Sequence, residues 1–295
     1  MNNAGRALGV IAVIGAAILW GTTGTIQALL PAGKEPIIVG AMRIVLGGLA
    51  LLALALLNPV ARRGFRLLPS RTIVFAGLAI ALYNVSFFVA VMKSGVGIGT
   101  AITVGSAPIW VTLYEIVVKK QNPDATRLFG QAVSICGAFL LVVSGGNATG
   151  SMLGYAIAAV AGAAYAAYSV ATGRIGGTAP SVTIAAATFS VASVAVLPVF
   201  FMVPMAWMTG MDVWLPLLFL GVISTGLSYV FYTWGLTRVA ASTAVTLALA
   251  EPLTAWLLAT FVIGEDITAM KLVGATLLMV GLAIVTILPA KSVRA

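Results

Sequence analysis

The chain has 295 residues, of which 61% are hydrophobic and 8% charged, and its mean hydropathy of +1.13 leaves too little polar surface for a soluble globular protein. The formal net charge of +9 is scattered between apolar runs instead of gathered into a stripe, which sets nucleic-acid binding aside. A single cysteine, Cys136, sits inside an apolar run, so an internal disulfide and a thiolate metal site are both excluded, and histidine is absent.

Apolar windows long enough to cross about 30 Å of hydrocarbon at 1.5 Å per residue predict ten membrane helices. Their limits are 7–30, 37–57, 72–92, 97–118, 127–144, 152–172, 181–203, 214–236, 240–263 and 268–288. The first follows a lone Arg6 and is expected to be an uncleaved helix, because a second span comes almost at once and no A-x-A-like site follows it. On this span Trp20, Thr23, Gly24 and Gln27 share a face at helical spacing. The second span carries Arg43 within its apolar run, and the third carries Tyr83 and Phe87 on one face with Asn84 at its edge. "GVGIGT", residues 95–100, has the glycines of a phosphate loop but no following lysine or strand, and reads as a tight helix entry.

The fourth span aligns Thr103, Ser106, Trp110 and Tyr114, with Pro108 at its middle, and ends at Glu115, which is expected to pair with Lys119 at the interface. The sequon "NAT" at 147 is a weak signal. The sixth span aligns Tyr165, Tyr168, Ser169 and Thr172, and the eighth Thr225, Ser228, Tyr229 and Tyr232. Trp207 and Trp214 are expected in the aromatic belt. The ninth span holds Glu251 and Pro252 side by side in "LALAEPLTAW", and Glu265 and Asp266 are expected in the loop beyond it. The connections, "LPAGKEP", "NPVARRGFRLLPS", "KKQNPDATR" and "SGGNATGSM", are too short to hide a soluble domain.

With the N-terminus inside, Arg6, Arg62, Arg63, Arg66, Arg71, Lys119, Lys120, Arg127, Arg174, Arg238, Lys291 and Arg294 are cytoplasmic, against Lys34, Lys93 and Lys271 outside. Twelve against three predicts that both termini are cytoplasmic. Sliding residues 83–144 by 144 positions superposes Phe87 on Phe231, Pro108 on Pro252, Leu128 on Leu272, Gly130 on Gly274 and Gly137 on Gly281. Five spans in each half is an odd number, so the second half enters the membrane from the opposite side. An inverted repeat of 7–144 and 152–288 is therefore expected, with a site near the midplane between the halves. Pro108 and Pro252 are expected as helix breaks at matched depth, with tolerated kinks as the alternative.

The run "LALAEPLTAWLLATFVIGEDITAMKLVGATLLMVGLAIV" resembles the closing segment of drug/metabolite transporter superfamily members, and "AAILWGTTGT" with Arg43 fits the EamA-type branch. Within it, the length, the short loops and the aromatics resemble YddG-type exporters of aromatic amino acids and methionine. The resemblance implies an all-α carrier of ten helices in two inverted halves around a central cavity. This chain departs from symmetry in having Ala107 and Gln121 where its second half has Glu251 and Glu265.

Polar and aromatic side chains gain nothing from lipid and should turn inward. The expected cavity residues are Trp20, Tyr83, Asn84, Phe87, Thr103, Ser106, Trp110, Tyr165, Tyr168, Ser169, Ser228 and Tyr229; core packing or interfacial anchoring explains any single aromatic better than ligand contact, and it is the convergence of five such faces that favours a cavity. By rise per residue Arg43 lies roughly 10 Å and Glu251 roughly 18 Å from the outer helix ends, within mutual reach. Either the two form a structural ion pair or Glu251 exchanges a proton or meets a substrate amine. Without histidine, a deep aspartate or a spaced acid pair, an enzyme or a metal or cofactor site is not expected. The expected function is export of amphipathic small molecules, foremost aromatic and large neutral amino acids, across a bacterial inner membrane. A lipophilic-cation exporter, a channel and a scaffold remain alternatives.

The charge asymmetry sets a direct test. Reporter fusions after residues 66, 122 and 295 should be cytoplasmic and one after residue 148 exported; a cytoplasmic signal at 148 contradicts the topology.

Overall fold

In the computed structural model residues 3–143 and 151–287 are described; the sequon at 147 and the basic residues Lys291 and Arg294 lie outside them. Ten helices are long and apolar enough to cross a membrane, and among the described residues there is no strand. They are α1 (Asn3–Ala28), α2 (Pro36–Leu57), α3 (Ser70–Ser94), α4 (Val96–Val117), α5 (Ala125–Val143), α6 (Met152–Arg174), α7 (Ser181–Met202), α8 (Met211–Leu236), α9 (Ala241–Ile263) and α10 (Ala269–Ile287). Each lies within a few residues of its predicted span.

Local chemistry sets several of the ends. Pro36 opens α2, where a missing N–H costs nothing, and Ser151 caps α6 by accepting from the Gly154 N–H at 3.1 Å. Between α2 and α3 a short surface helix, Pro59–Gly64, starts where Asn58 Oδ1 accepts from Val60 and Ala61. Gly95 turns the chain from α3 into α4 at φ +78°, and Gly264 ends α9 in the left-handed region.

The helices pack in sets related by the 144-residue offset. α3 packs on α6 as α8 does on α1; α4 packs on α6 as α9 does on α1; α2 packs on α8 as α7 does on α3. The remaining large contacts, α5 with α10 and α2 with α7, join each helix to its own counterpart, so the pseudo-twofold axis passes between them. The α5–α10 contact is made by glycine. A Cβ on Gly137 would strike the Leu278 amide and the Gly274 carbonyl, and one on Gly281 the Gly130 carbonyl and Ser134. The recurring glycines are thus where backbones of opposite halves touch.

Exposed side chains such as Leu49, Phe75, Phe129, Phe201 and the Cys136 thiol face outward, as lipid contact requires. Trp207 lies in the turn Ala206–Thr209, partly buried against the cluster of Leu30, Val39, Val213, Leu217 and Leu220, and Trp214, 36% exposed, lies near the start of α8.

Four spans are irregular. α1 has a turn at Thr22, and α7 one at Leu197 and Pro198. In α9 regular helix covers Ala241–Leu247 and Ala250–Leu258, with a turn at Ala248 and Leu249. Pro252 has no N–H for the Ala248 carbonyl and its ring crowds that group, so the carbonyl accepts from Glu251 N instead at 3.0 Å. The matched break expected at Pro108 is absent: α4 is α-helical through it. Its face is pinned to α6 on both sides of the proline, Thr103 Oγ1 donating to the Ala158 carbonyl at 3.2 Å and Trp110 Nε1 to the Ala159 carbonyl at 3.1 Å. Within α8, Phe219–Leu227 widens into a π-helical stretch.

Replacing Gly137 by valine tests the glycine contact. Overpacking against backbone should cost about 1–3 kcal/mol and lower the thermal midpoint in detergent, whereas valine at the lipid-facing Leu49 should leave it unchanged.

Candidate functional site

A cavity of about 780 Å³ lies between the two halves. Its wall includes Gly24, Gln27 and Lys34 at the end of α1 and beyond it, Ser94–Ile98 at the α3–α4 turn, Leu141–Val143 at the end of α5, and Ile263, Glu265 and Lys271 around the end of α9. All of these lie at the helix ends opposite the N-terminus of α1, so the cavity has one mouth, on that face.

The deep wall is aromatic. Trp20 of α1 meets Tyr229 of α8 at 5.0 Å between ring centroids and Tyr165 of α6 edge-on at 6.1 Å. Tyr83 of α3 lies 5.3 Å from Tyr165 and stacks at 6.1 Å on Phe87, its neighbour one turn on. Close helix approach positions these rings. Gly21 lets α1 touch α9 at Thr254 and the Glu251 carbonyl, and Gly40 lets α2 meet Phe88 and Asn84 of α3.

Arg43 and Glu251 both line this cavity, half-buried. They do not form an ion pair: the two ion pairs among the described residues are Arg127–Glu115 at 2.7 Å and Lys271–Glu265 at 3.0 Å. Arg43 Nε instead donates to Thr225 Oγ1 at 3.2 Å. Thr225 in turn donates to the Leu220 carbonyl five residues back, the spacing of the π-helical stretch, so the irregular turn of α8 fixes the hydroxyl that holds the arginine. Glu251 reaches the cavity from the first turn after the α9 interruption, with Pro252 and Trp256 beside it. The indole N–H groups of Trp20 and Trp256 and the hydroxyl of Thr23, all on cavity-lining residues, are buried without a hydrogen-bond partner.

Of the residues expected in the cavity, Trp20, Tyr83, Asn84, Phe87, Thr103, Tyr165 and Tyr229 line it, as do Arg43, Glu251 and Pro252. Others lie elsewhere. Trp110 is 38% exposed on the outer face of α4, where its indole N–H donates to the Ala159 carbonyl of α6. Ser106 turns against Gly162, where a side chain on α6 is missing, and donates to its own helix at Thr103. Tyr168 and Ser169 lie a turn deeper than Tyr165: Tyr168 is buried against Phe189 and Tyr229, and Ser169 shares a 2.8 Å hydrogen bond with Tyr232. Ser228 donates to the Ser224 and Thr225 carbonyls of its own helix, and Pro108 is buried away from the cavity. Glu115 pairs with Arg127 in place of the expected Lys119, which instead sits over the Tyr114 ring. Helical spacing missed Trp256, Lys34, Glu265 and Lys271; for the three charged residues the signal was the polar residues just beyond the ends of α1 and α9, and for Trp256 its place one turn beyond Pro252.

A cavity between inverted halves, open at one end of the bundle and lined by half-buried charges and aromatics, is the arrangement of secondary membrane transporters. The EamA-like transporter family model matches twice, at residues 7–143 and 152–287, and the chain belongs to that family. It is 34% identical over 279 residues to a Bacillus subtilis protein named uncharacterized transporter YwfM, covering 95% of this chain and 94% of the relative. An Archaeoglobus fulgidus protein, also named as an uncharacterized transporter, is 26% identical over 279 residues, covering 94% and 95%. A solved crystal structure superposes with a TM-score of 0.81 at 20% identity, over 95% of this chain and 97% of the other, and shares the fold.

The unpaired state of Glu251 has a measurable consequence. Glu251→Gln should leave the thermal midpoint in detergent unchanged, whereas Glu115→Ala, which strands Arg127 in a largely buried place, should destabilise by about 3 kcal/mol.

Proposed function

We propose that this protein exports neutral amphipathic metabolites, foremost aromatic and large neutral amino acids such as Phe, Trp, Tyr, Met and Thr, from a bacterial cytoplasm across the inner membrane. The observation that carries this reading is the pair of opposite charges, Arg43 and Glu251, facing one aromatic cavity without pairing to each other. A zwitterion presents a carboxylate to a guanidinium and an ammonium to a carboxylate, which compensates both buried charges at once. Tyr83, Phe87, Trp20 and Tyr229 then offer apolar area to its side chain. One deep cation gives little purchase on a phosphate dianion, so sugar phosphates and nucleotide sugars are poor substrates.

Under the topology read from the basic residues, the mouth faces outward and both termini lie in the cytoplasm. Transport is alternating access, with the two inverted halves rocking and the interrupted α9 bending at Pro252.

The test is competition against a labelled neutral amino acid in proteoliposomes. Tyr83→Ala should weaken aromatic substrates more than threonine by about 2- to 10-fold, the range that 0.5–1.5 kcal/mol of ring contact implies. Strong inhibition by a lipophilic cation with none by any neutral amino acid moves the assignment to multidrug efflux, which Glu251 and the aromatic wall would also serve.

A further inference from the structure

The end of the bundle opposite the mouth is tied by Arg127, at the start of α5. Its Nη2 lies 2.7 Å from Glu115 Oε2 on α4, in its own half, and its Nη1 donates to Ser242 Oγ at 2.8 Å at the start of α9, in the other half. Ser242 is fully buried and the arginine side chain is 14% exposed, so the crossing bond is charge-assisted and shielded from water. Beside it Thr112 Oγ1 donates to Gln131 Oε1 at 3.2 Å, fastening α4 to α5 so that they carry Arg127 as one piece. Ser242 belongs to the segment of α9 before the interruption, while Glu251, Pro252 and Trp256 line the cavity from the segment after it. Arg127 thus holds one arm of a jointed helix whose other arm faces the cavity.

The 144-residue offset carries Arg127 onto Lys271, Gln121 onto Glu265 and Ser242 onto Ile98. Lys271 lies at the mouth, and the partners of its ammonium, Glu265 Oε2 at 3.0 Å and the Asp266 carbonyl at 3.2 Å, both belong to its own half. The rim segment Ser94–Ile98, which includes the counterpart of Ser242, lines the same mouth. The same basic position is therefore bonded across the halves at the closed end and within its own half at the open end.

We propose that Arg127 and Lys271 are alternating gate residues: Arg127 locks the closed end while the mouth is open, and Lys271 bonds across to the rim around Ile98 when the bundle opens at the other end. This rests on the chain being a carrier and not on which substrate it takes.

The test uses the full-length protein in proteoliposomes with Cys136→Ala, and one reporter thiol at a time, Thr246→Cys near the closed end or Thr100→Cys in the cavity. Ser242→Ala removes only the crossing bond and leaves the Arg127–Glu115 pair. It should raise the maleimide reaction rate of the Thr246→Cys thiol about tenfold or more, the factor implied by losing one hydrogen bond to a charged group, and lower that of the Thr100→Cys thiol. Lys271→Gln should do the reverse, slowing the closed-end thiol. Thermal midpoints in detergent are followed in parallel. Unchanged rates in Ser242→Ala, or both rates rising together with a lowered midpoint, overturn the proposal and leave Arg127 as a packing element. Because the readout is thiol reactivity without substrate, a wrong substrate assignment leaves it unaffected.

Discussion

In a bilayer the two halves of this protein gain nothing by hiding apolar surface from each other, because lipid tails are as apolar as leucine. What holds them is close backbone approach, and the glycines supply it: Gly130 and Gly137 of α5 against Gly274 and Gly281 of α10, Gly47 of α2 against Gly221 and Thr225 of α8, and Gly21 of α1 against Glu251 and Thr254 of α9. These contacts leave the deep polar groups facing one another across a shared space instead of facing lipid. Arg43, Thr225, Glu251 and the ring edges are tolerated at mid-depth for that reason. The cavity is a consequence of how the helices touch.

The ten spans, their order and their inverted pairing were readable in the chain, since hydrocarbon thickness sets span length and the recurring Gly130/Gly274 and Gly137/Gly281 mark the helices that meet on the axis. The face of α3 bearing Tyr83, Asn84 and Phe87 was readable too, as were Trp20 and Tyr165. Helical spacing identifies which residues share a face, but not which of several buried faces meets an open space and which meets another helix. Trp110 and Ser106 share a face with Thr103, yet the groove left by Gly162 draws Ser106 onto α6, and a carbonyl of α6 takes the indole of Trp110. Tyr168 and Ser169 differ from Tyr165 only in lying a turn further from the mouth, a distinction of depth that no periodicity records.

Repeat symmetry misled in one place and informed in another. Pro108 and Pro252 occupy equivalent positions, but α4 stays helical through Pro108, with hydrogen bonds to α6 on both sides of it, while α9 is interrupted at Ala248 and Leu249. Phe87 lines the cavity while its counterpart Phe231 is 39% exposed. The acids are asymmetric as well, since Glu251 and Glu265 have no acidic partners in the first half. An inverted repeat supplies the frame, and the departures from it place one charge of each sign at the cavity, Arg43 from the first half and Glu251 from the second.

The α5–α10 contact also sets how force passes through the bundle. Where two backbones meet with no side chain between them, sliding would drive a glycine into its neighbour's turn, so rotation about the point of touch is the displacement that keeps the contact. The contact is a fulcrum, and the helices are levers pivoted on it. Displacement about such a pivot grows with distance from it, so a small tilt at the glycines becomes a larger movement at the ends of the helices that leave the contact.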